Sequence, residues 1–282
     1  MSQTEKDQDD LTRKQRREQA RADRKAAEQA AAAGDARRRR LTQLGGAVVV
    51  VVVAIVVILI ATSGGSSKPS TGGVEKKGGQ SATVKKAVAA VKEELDGIPQ
   101  SGNVLGKPSA PVTIAYFGDL ECPICREFTL GALPKVIEKQ VRSGKLRLEY
   151  RNLETATREP EVFRNQQSAA LAAGKQNLGW YYIELFYHLQ GKEDSGYVTE
   201  SYLQGLAEAT PGLNLSKWQS DRADQTFQEK LAVDAQEANN NGFNGTPSFL
   251  IGHSGGAMKK LEYTSLSDPS SFEEAVEKTA KA

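Results

Sequence analysis

The sequence predicts an α/β domain, a small sheet interrupted by a large helical insertion, preceded by a single transmembrane helix and a flexible linker. Three observations carry that prediction. An uncharged apolar run extends from Leu44 to Ala61. Stretches rich in β-branched and aromatic residues, "APVTIAYFGD", "KLRLEYRNL" and "TPSFLIG", recur far apart in the chain. Between the last two, residues 160–240 read mostly as helix.

The elements follow in order. Residues 1–40 hold 12 Lys/Arg against 8 Asp/Glu, whereas the whole chain of 282 residues carries only +2. This head has high helix propensity and almost no apolar face, so it reads as a solvated, basic cytoplasmic tail. Residues 41–62 are expected to form the transmembrane helix. Its apolar run, 18 residues from Leu44 to Ala61, would span about 27 Å, close to the hydrocarbon thickness of a bilayer. Arg37 to Arg40 flank it on one side, and Thr, Ser and Gly flank it on the other. The positive-inside rule then places the N-terminus in the cytoplasm and the rest outside, in a single-pass protein of the cell membrane. Small residues at "ATS", 61–63, leave a cleaved anchor as the alternative.

Residues 63–97 read as a Gly/Ser linker ending in one short amphipathic helix. In that helix Val84, Val88, Val91 and Leu95 recur at helical spacing before Gly97 and Pro99. From 98 to 282 the order is strand, helix, strand, helical insertion (about 158–240), strand pair and final helix. Leu146, Leu148 and Tyr150 alternate with charged residues in the second strand. "KKLEYTSL" is a candidate partner for "TPSFLIG". Ser271 and Glu274 stand at capping-box spacing at the start of the last helix.

The chemistry concentrates in "ECPICREF". Cys122 and Cys125 are the only cysteines of the chain. A disulfide across two intervening residues closes almost no chain, so it would stabilise folding little. Zinc on this pair would need two further ligands, and the only histidines, His188 and His253, have no neighbouring ligand at useful spacing. Neither a metal nor a cofactor is therefore expected. A thiol pair made for exchange remains. If Cys122 opens a helix, the unpaired N–H groups and the macrodipole favour its thiolate. Pro123 suits the first turn, where its missing N–H costs nothing. Cys125, one turn later, is placed to resolve a mixed disulfide at Cys122. Asp119 and Glu121 read as solvated loop charges that oppose thiolate formation. The aromatic run of Trp180, Tyr181, Phe186 and Tyr187 reads as core. No phosphate loop, dinucleotide fingerprint or repeat is present, and the basic head lacks the interleaved aromatics of a single-strand binder, so no nucleic-acid partner is expected.

"APVTIAYFGDLECPICREF", "LPKVIEKQ", "KLRLEYRNL" and "GTPSFLIG" together resemble the DsbA-like thiol:disulfide oxidoreductases of the thioredoxin superfamily, in their membrane-anchored form, over about residues 98–282. The resemblance implies a thioredoxin-like fold whose helical insertion is the 158–240 block. It implies Cys122 and Cys125 as catalytic residues. It also implies a cis-proline at Pro247 opposite them, preceded by Thr246, whose backbone pairs with an extended substrate. Pro123, Ile124, Thr246 and Pro247 would then contact substrate. The partners implied are exported cysteine-containing proteins and a quinone-linked membrane re-oxidant. Two positions depart from the pattern. Tyr116 stands where thioredoxin-like enzymes often bury a carboxylate, and Ile124 replaces the histidine of the strongest oxidants. The expected potential therefore lies between those of thioredoxin, about −270 mV, and DsbA, about −120 mV. Disulfide formation outside the cytoplasm is the leading expectation. A reductase or isomerase of the same fold, or a non-catalytic tethered peptide-binding module, are the alternatives.

Overall fold

The computed structural model describes residues 81–282. The tail expected over 1–40, the transmembrane helix over 41–62 and the first part of the linker, 63–80, lie outside the described residues. Among the described residues no helix is long and apolar enough to cross a membrane.

Helix α1 spans Ala82–Leu95. Ser81 caps it, its hydroxyl accepting the Val84 N–H at 3.3 Å. Val84, Ala87, Val91 and Leu95 form its buried face. The chain leaves the helix through Gly97, whose φ of +76° is one that other residues seldom adopt. Strands β1 (Gln100–Ser101) and β2 (Val104–Leu105) are two residues each, too short for any periodicity to announce them. Then come β3 (Val112–Gly118), α2 (Pro123–Leu130) and α3 (Leu133–Val136), with one π turn over Ile137–Val141. β4 is Leu146–Asn152. Five helices follow: α4 (Pro160–Gly174), α5 (Gly179–His188), α6 (Glu200–Ala209), α7 (Leu215–Asp221) and α8 (Thr226–Asn240). The chain closes with β5 (Ser248–His253), β6 (Met258–Lys260) and α9 (Ser270–Ala280).

One six-stranded sheet joins the strands in the order β1-β2-β4-β3-β5-β6. β3 runs parallel to β4, with Tyr116 opposite Tyr150, and antiparallel to β5, with Tyr116 opposite Phe249. All seven residues of β3 are buried, as required of a central strand covered on both faces. β4 alternates, burying Leu146, Leu148, Tyr150 and Asn152. On one face Ile114 and Tyr116 join the main core, which includes Phe128, Trp180, Phe186, Tyr187, Phe249 and Phe272. On the other, Ala115 and Phe117 meet Ala238 of α8 and Leu250 in a smaller cluster.

The last helix departs from its expected cap. Ser271 and Glu274 form no capping box, because the helix begins at Ser270 with Pro269 as its N-cap, two residues before the cap expected at Ser271. Asp268 takes the N–H of Ser270 at 2.9 Å and its hydroxyl at 2.6 Å. Ser271 instead accepts the N–H of Thr264 at 3.4 Å.

Candidate active site

Strand β3 delivers the chain to the site. Gly118 ends the strand against the Tyr150 ring; a Cβ there would lie 2.8 Å from ring atoms, so only glycine fits without displacement. After a tight turn, Cys122 becomes the N-cap of α2, with extended backbone (φ −69°, ψ 118°) and Pro123 in the first turn. Its sulfur accepts the N–H of Cys125 at 3.4 Å. A side-chain sulfur thus does what a serine oxygen does at an ordinary cap, and it sits where unpaired N–H groups converge.

The peptide bond between Thr246 and Pro247 is cis. This loop faces the cysteines: the Cys122 thiol donates to the Thr246 carbonyl at 3.4 Å. Thr246 is held in turn by Thr155, hydroxyl to hydroxyl at 2.6 Å. Gln190, just beyond α5, donates from Nε2 to the carbonyls of Leu120 (2.7 Å) and Cys122 (3.1 Å). The fold therefore brings Cys122, Pro123, Cys125, Thr246 and Pro247 together, with Ile124 projecting 47% exposed beside them.

The two sulfurs are unequal. Both are free thiols. Cys122 retains 5% exposure and Cys125 none. The Cys122 thiol is lowered from an ordinary 9.0 to about 6, chiefly by the hydrogen bond with the Cys125 side chain. Thr246 and the N–H groups of Cys125 and Ile124 add to that effect against the cost of burial. Cys125 is pushed well above the ordinary thiol range, first by burial and then by Cys122. Near neutral pH the pair is one thiolate and one thiol, with the thiolate on the less deeply buried member.

Two acids are corrected by the fold. Asp119 and Glu121 are not solvated: they are 0% and 3% exposed. Asp119 Oδ2 accepts the N–H groups of Thr155 (3.1 Å), Ala156 (2.9 Å) and Thr157 (2.9 Å). Its Oδ1 accepts from the Glu121 N–H (3.1 Å), the Thr157 hydroxyl (2.6 Å) and Gln166 Nε2 (3.2 Å). Its carboxylate thus fastens the turn before Cys122 to the loop after β4. Glu121 is raised to about 7, by burial first and by Asp119 second. Neither acid is among the leading causes of the Cys122 shift, which are hydrogen bonds and burial.

In the place of a buried carboxylate, three phenols collect. Tyr187 donates to the Asp119 carbonyl at 3.1 Å. Its hydroxyl lies 3.3 Å from that of Tyr116 and 3.1 Å from that of Tyr150. The Tyr116 hydroxyl also lies 3.5 Å from the Cys125 carbonyl. Burial holds all three well above the ordinary phenol range, so they stay neutral. Gln190 and Thr155 had no signal in the sequence, and Tyr187 showed only as one ring of an aromatic run that reads as core. Each reaches the site from a segment far along the chain, and none belongs to a spaced motif.

A family profile described as Thioredoxin matches residues 100–277. A probable disulfide bond formation protein D of Bacillus cereus is 26% identical over 148 residues, 52% of this chain and 68% of that protein. Among solved structures, oxidised BdbD from Bacillus subtilis has a TM-score of 0.54 at 22% identity, covering 65% of this chain and 97% of that one. At that identity the likeness is one of fold. A thioredoxin-like oxidoreductase from Silicibacter pomeroyi has a TM-score of 0.50 at 26% identity, covering 68% of this chain and 98% of that one.

Proposed function

The chain belongs to the thioredoxin family, among its DsbA-like thiol:disulfide oxidoreductases, and on that premise we propose that it forms disulfides in exported proteins from a membrane tether outside the cytoplasm. Cys122 is the nucleophile and Cys125 the resolving thiol. The observation that carries this assignment is the inequality of the two sulfurs: the partly exposed one favours thiolate and the sealed one favours thiol.

In the oxidised protein a client thiolate attacks the Cys122 sulfur. The Cys122–Cys125 bond breaks, and Cys125 leaves with the electron pair and takes a proton. A second client thiolate then attacks the client sulfur of the mixed disulfide and expels Cys122 as thiolate. Two electrons pass from the client to the pair, and the client gains its disulfide. A stabilised Cys122 thiolate is a good leaving group in this last step, which favours the oxidising direction. Re-oxidation requires an electron acceptor, assigned to a quinone-linked membrane partner. Thr246 and Pro247 present backbone across from the sulfur, where an extended client segment would lie, and Pro123 and Ile124 form the opposite lip.

The test is trapping. The full chain with Cys125→Ala, expressed in cells, should accumulate mixed disulfides with exported proteins that dissolve on reduction. Cys122→Ala should accumulate none. Equal trapping by the two variants would overturn the assignment. A wild-type pair found mostly as dithiol in intact cells would favour the reductase or isomerase instead.

A further inference from the structure

Far from the spacing of any sequence motif, α1 and α5 pack against each other and enclose a second cluster of ionisable groups. Glu184 and His188 lie four residues apart on one face of α5, and Glu94 meets them from the last turn of α1. One ligand atom from each of the three lies within 4.8 Å of the others. Glu184 is fully buried. Neither of its carboxyl oxygens has a hydrogen-bond partner among the described residues, and Oε1 of Glu94 is likewise buried and unpartnered. A buried carboxyl with nothing bonded to either oxygen is costly, and native structures seldom leave one so. His188 therefore does have ligand neighbours, contrary to the expectation from its spacing: one sits a helical turn earlier, and the other was unforeseeable before α1 and α5 were paired.

We propose that Glu94, Glu184 and His188 form a binding site for one divalent transition metal ion, zinc foremost. The donor set carries the choice. Calcium and magnesium prefer all-oxygen cages, whereas an imidazole nitrogen with carboxylates suits zinc and its neighbours in the first row. Zinc takes three protein ligands plus water at sites with an open side. Glu94 and His188 are half-buried, so the cluster has such a side. Ligand atoms of a tetrahedral zinc site stand about 3.4 Å apart. The three ligand atoms, all within 4.8 Å of one another, thus lie at most about 1.4 Å beyond that spacing.

The charge balance agrees. Two carboxylates neutralise one divalent ion. In the metal-free protein burial raises Glu94 to about 7 and Glu184 well above the carboxylate range. Burial lowers His188, with Arg126 adding to the effect. An imidazole ligates metals in its neutral form. Two cations stand near. Arg142 is spent on the backbone carbonyls of Glu94 (2.7 Å) and Asp96 (2.9 Å). Arg126 donates from Nε to the Tyr187 carbonyl at 3.0 Å. A bound ion would clip α1, the first described element, onto the helix that carries Tyr187 beneath the cysteines.

Zinc titration of the full chain tests this. The protein carries Cys122→Ser and Cys125→Ser, so that no thiolate competes. Wild-type ligands should bind one zinc per chain and raise the melting temperature with increasing zinc. Zinc-edge absorption should show nitrogen and oxygen neighbours. His188→Ala and Glu184→Gln should each weaken binding at least tenfold, and His253→Ala should leave it unchanged. If Glu184→Gln fails to fold, half-buried His188 decides alone. Binding that is absent, or that survives His188→Ala unaltered, overturns the site.

Discussion

Titration of the Cys122 thiol measures directly what the end of α2 does to this sulfur. Its drop from an ordinary 9.0 to about 6 corresponds to about 4 kcal/mol of preference for the thiolate. At pH 7 the thiolate then outnumbers the thiol about 10 to 1, where an unperturbed group would be about 1 in 100 ionised. The perturbation is Cys125→Ala. It removes the largest contributor, the hydrogen bond from the Cys125 side chain, and leaves the Cys125 N–H in place. A hydrogen bond to a charged group contributes about 1.5–3 kcal/mol, or about one to two pH units. The midpoint should therefore rise to between about 7 and 8. The assay is thiolate absorbance near 240 nm against pH on the reduced protein, with Cys122→Ala as the blank. A Cys125→Ala midpoint still near 6 would refute the assignment of the thiol hydrogen bond as the leading cause. A wild-type midpoint near 9 would refute the whole account of the site. The same thiolate preference stabilises the reduced pair at pH 7 by about one decade, raising the reduction potential by about 30 mV over that of an unperturbed dithiol.

Three further outcomes follow from the packing. Asp119→Ala strips the acceptor from three backbone N–H groups of the loop after β4; it should cost about 3–5 kcal/mol, read by chemical denaturation, and a cost under 1 kcal/mol would show that the loop holds itself. Phe128→Ala empties the place where α2 meets Tyr116, Phe249 and Phe272, with ring centroids 4.8 to 5.1 Å away; about 3–5 kcal/mol should be lost, and unchanged melting would contradict the packing. Glu121, raised from 4.5 to about 7, is an acid that the folded state prefers protonated, so the stability it contributes is complete below pH 4.5 and lost as pH rises through about 7. Glu121→Gln should therefore raise the melting temperature relative to wild type more at pH 8 than at pH 4.5, and an equal difference at both would rule out this titration.

What could be read from the sequence was local. The CPIC turn at the head of a helix, the alternation of Leu146, Leu148 and Tyr150, and the proline at the start of "TPSFLIG" all declare themselves within a dozen residues. What escaped was assembled across distance. Asp119 and Glu121 follow a strand and look like loop charges; burial comes from residues 155–157, which arrive after another strand and helix. β1 and β2 are strands only because Leu105 finds Leu148 opposite it. Glu184 and His188 stand at i and i+4, a spacing the reading of His188 passed over, and Glu94 joins them only through the docking of α1. The cap of α9 was misplaced because Asp268, outside the helix, reaches its first N–H before Ser271 can.

Gln190 has a consequence for how such domains can be recombined. Its one side-chain amide grips the carbonyls of Leu120 and Cys122, on either side of Glu121, from the middle of the helical block. A chimera that exchanged this block for that of a relative would keep every strand and both sulfurs, yet it would leave the turn without its outer handhold. Grafting at this junction is thus a choice about the reactivity of the sulfur as much as about which clients are recognised.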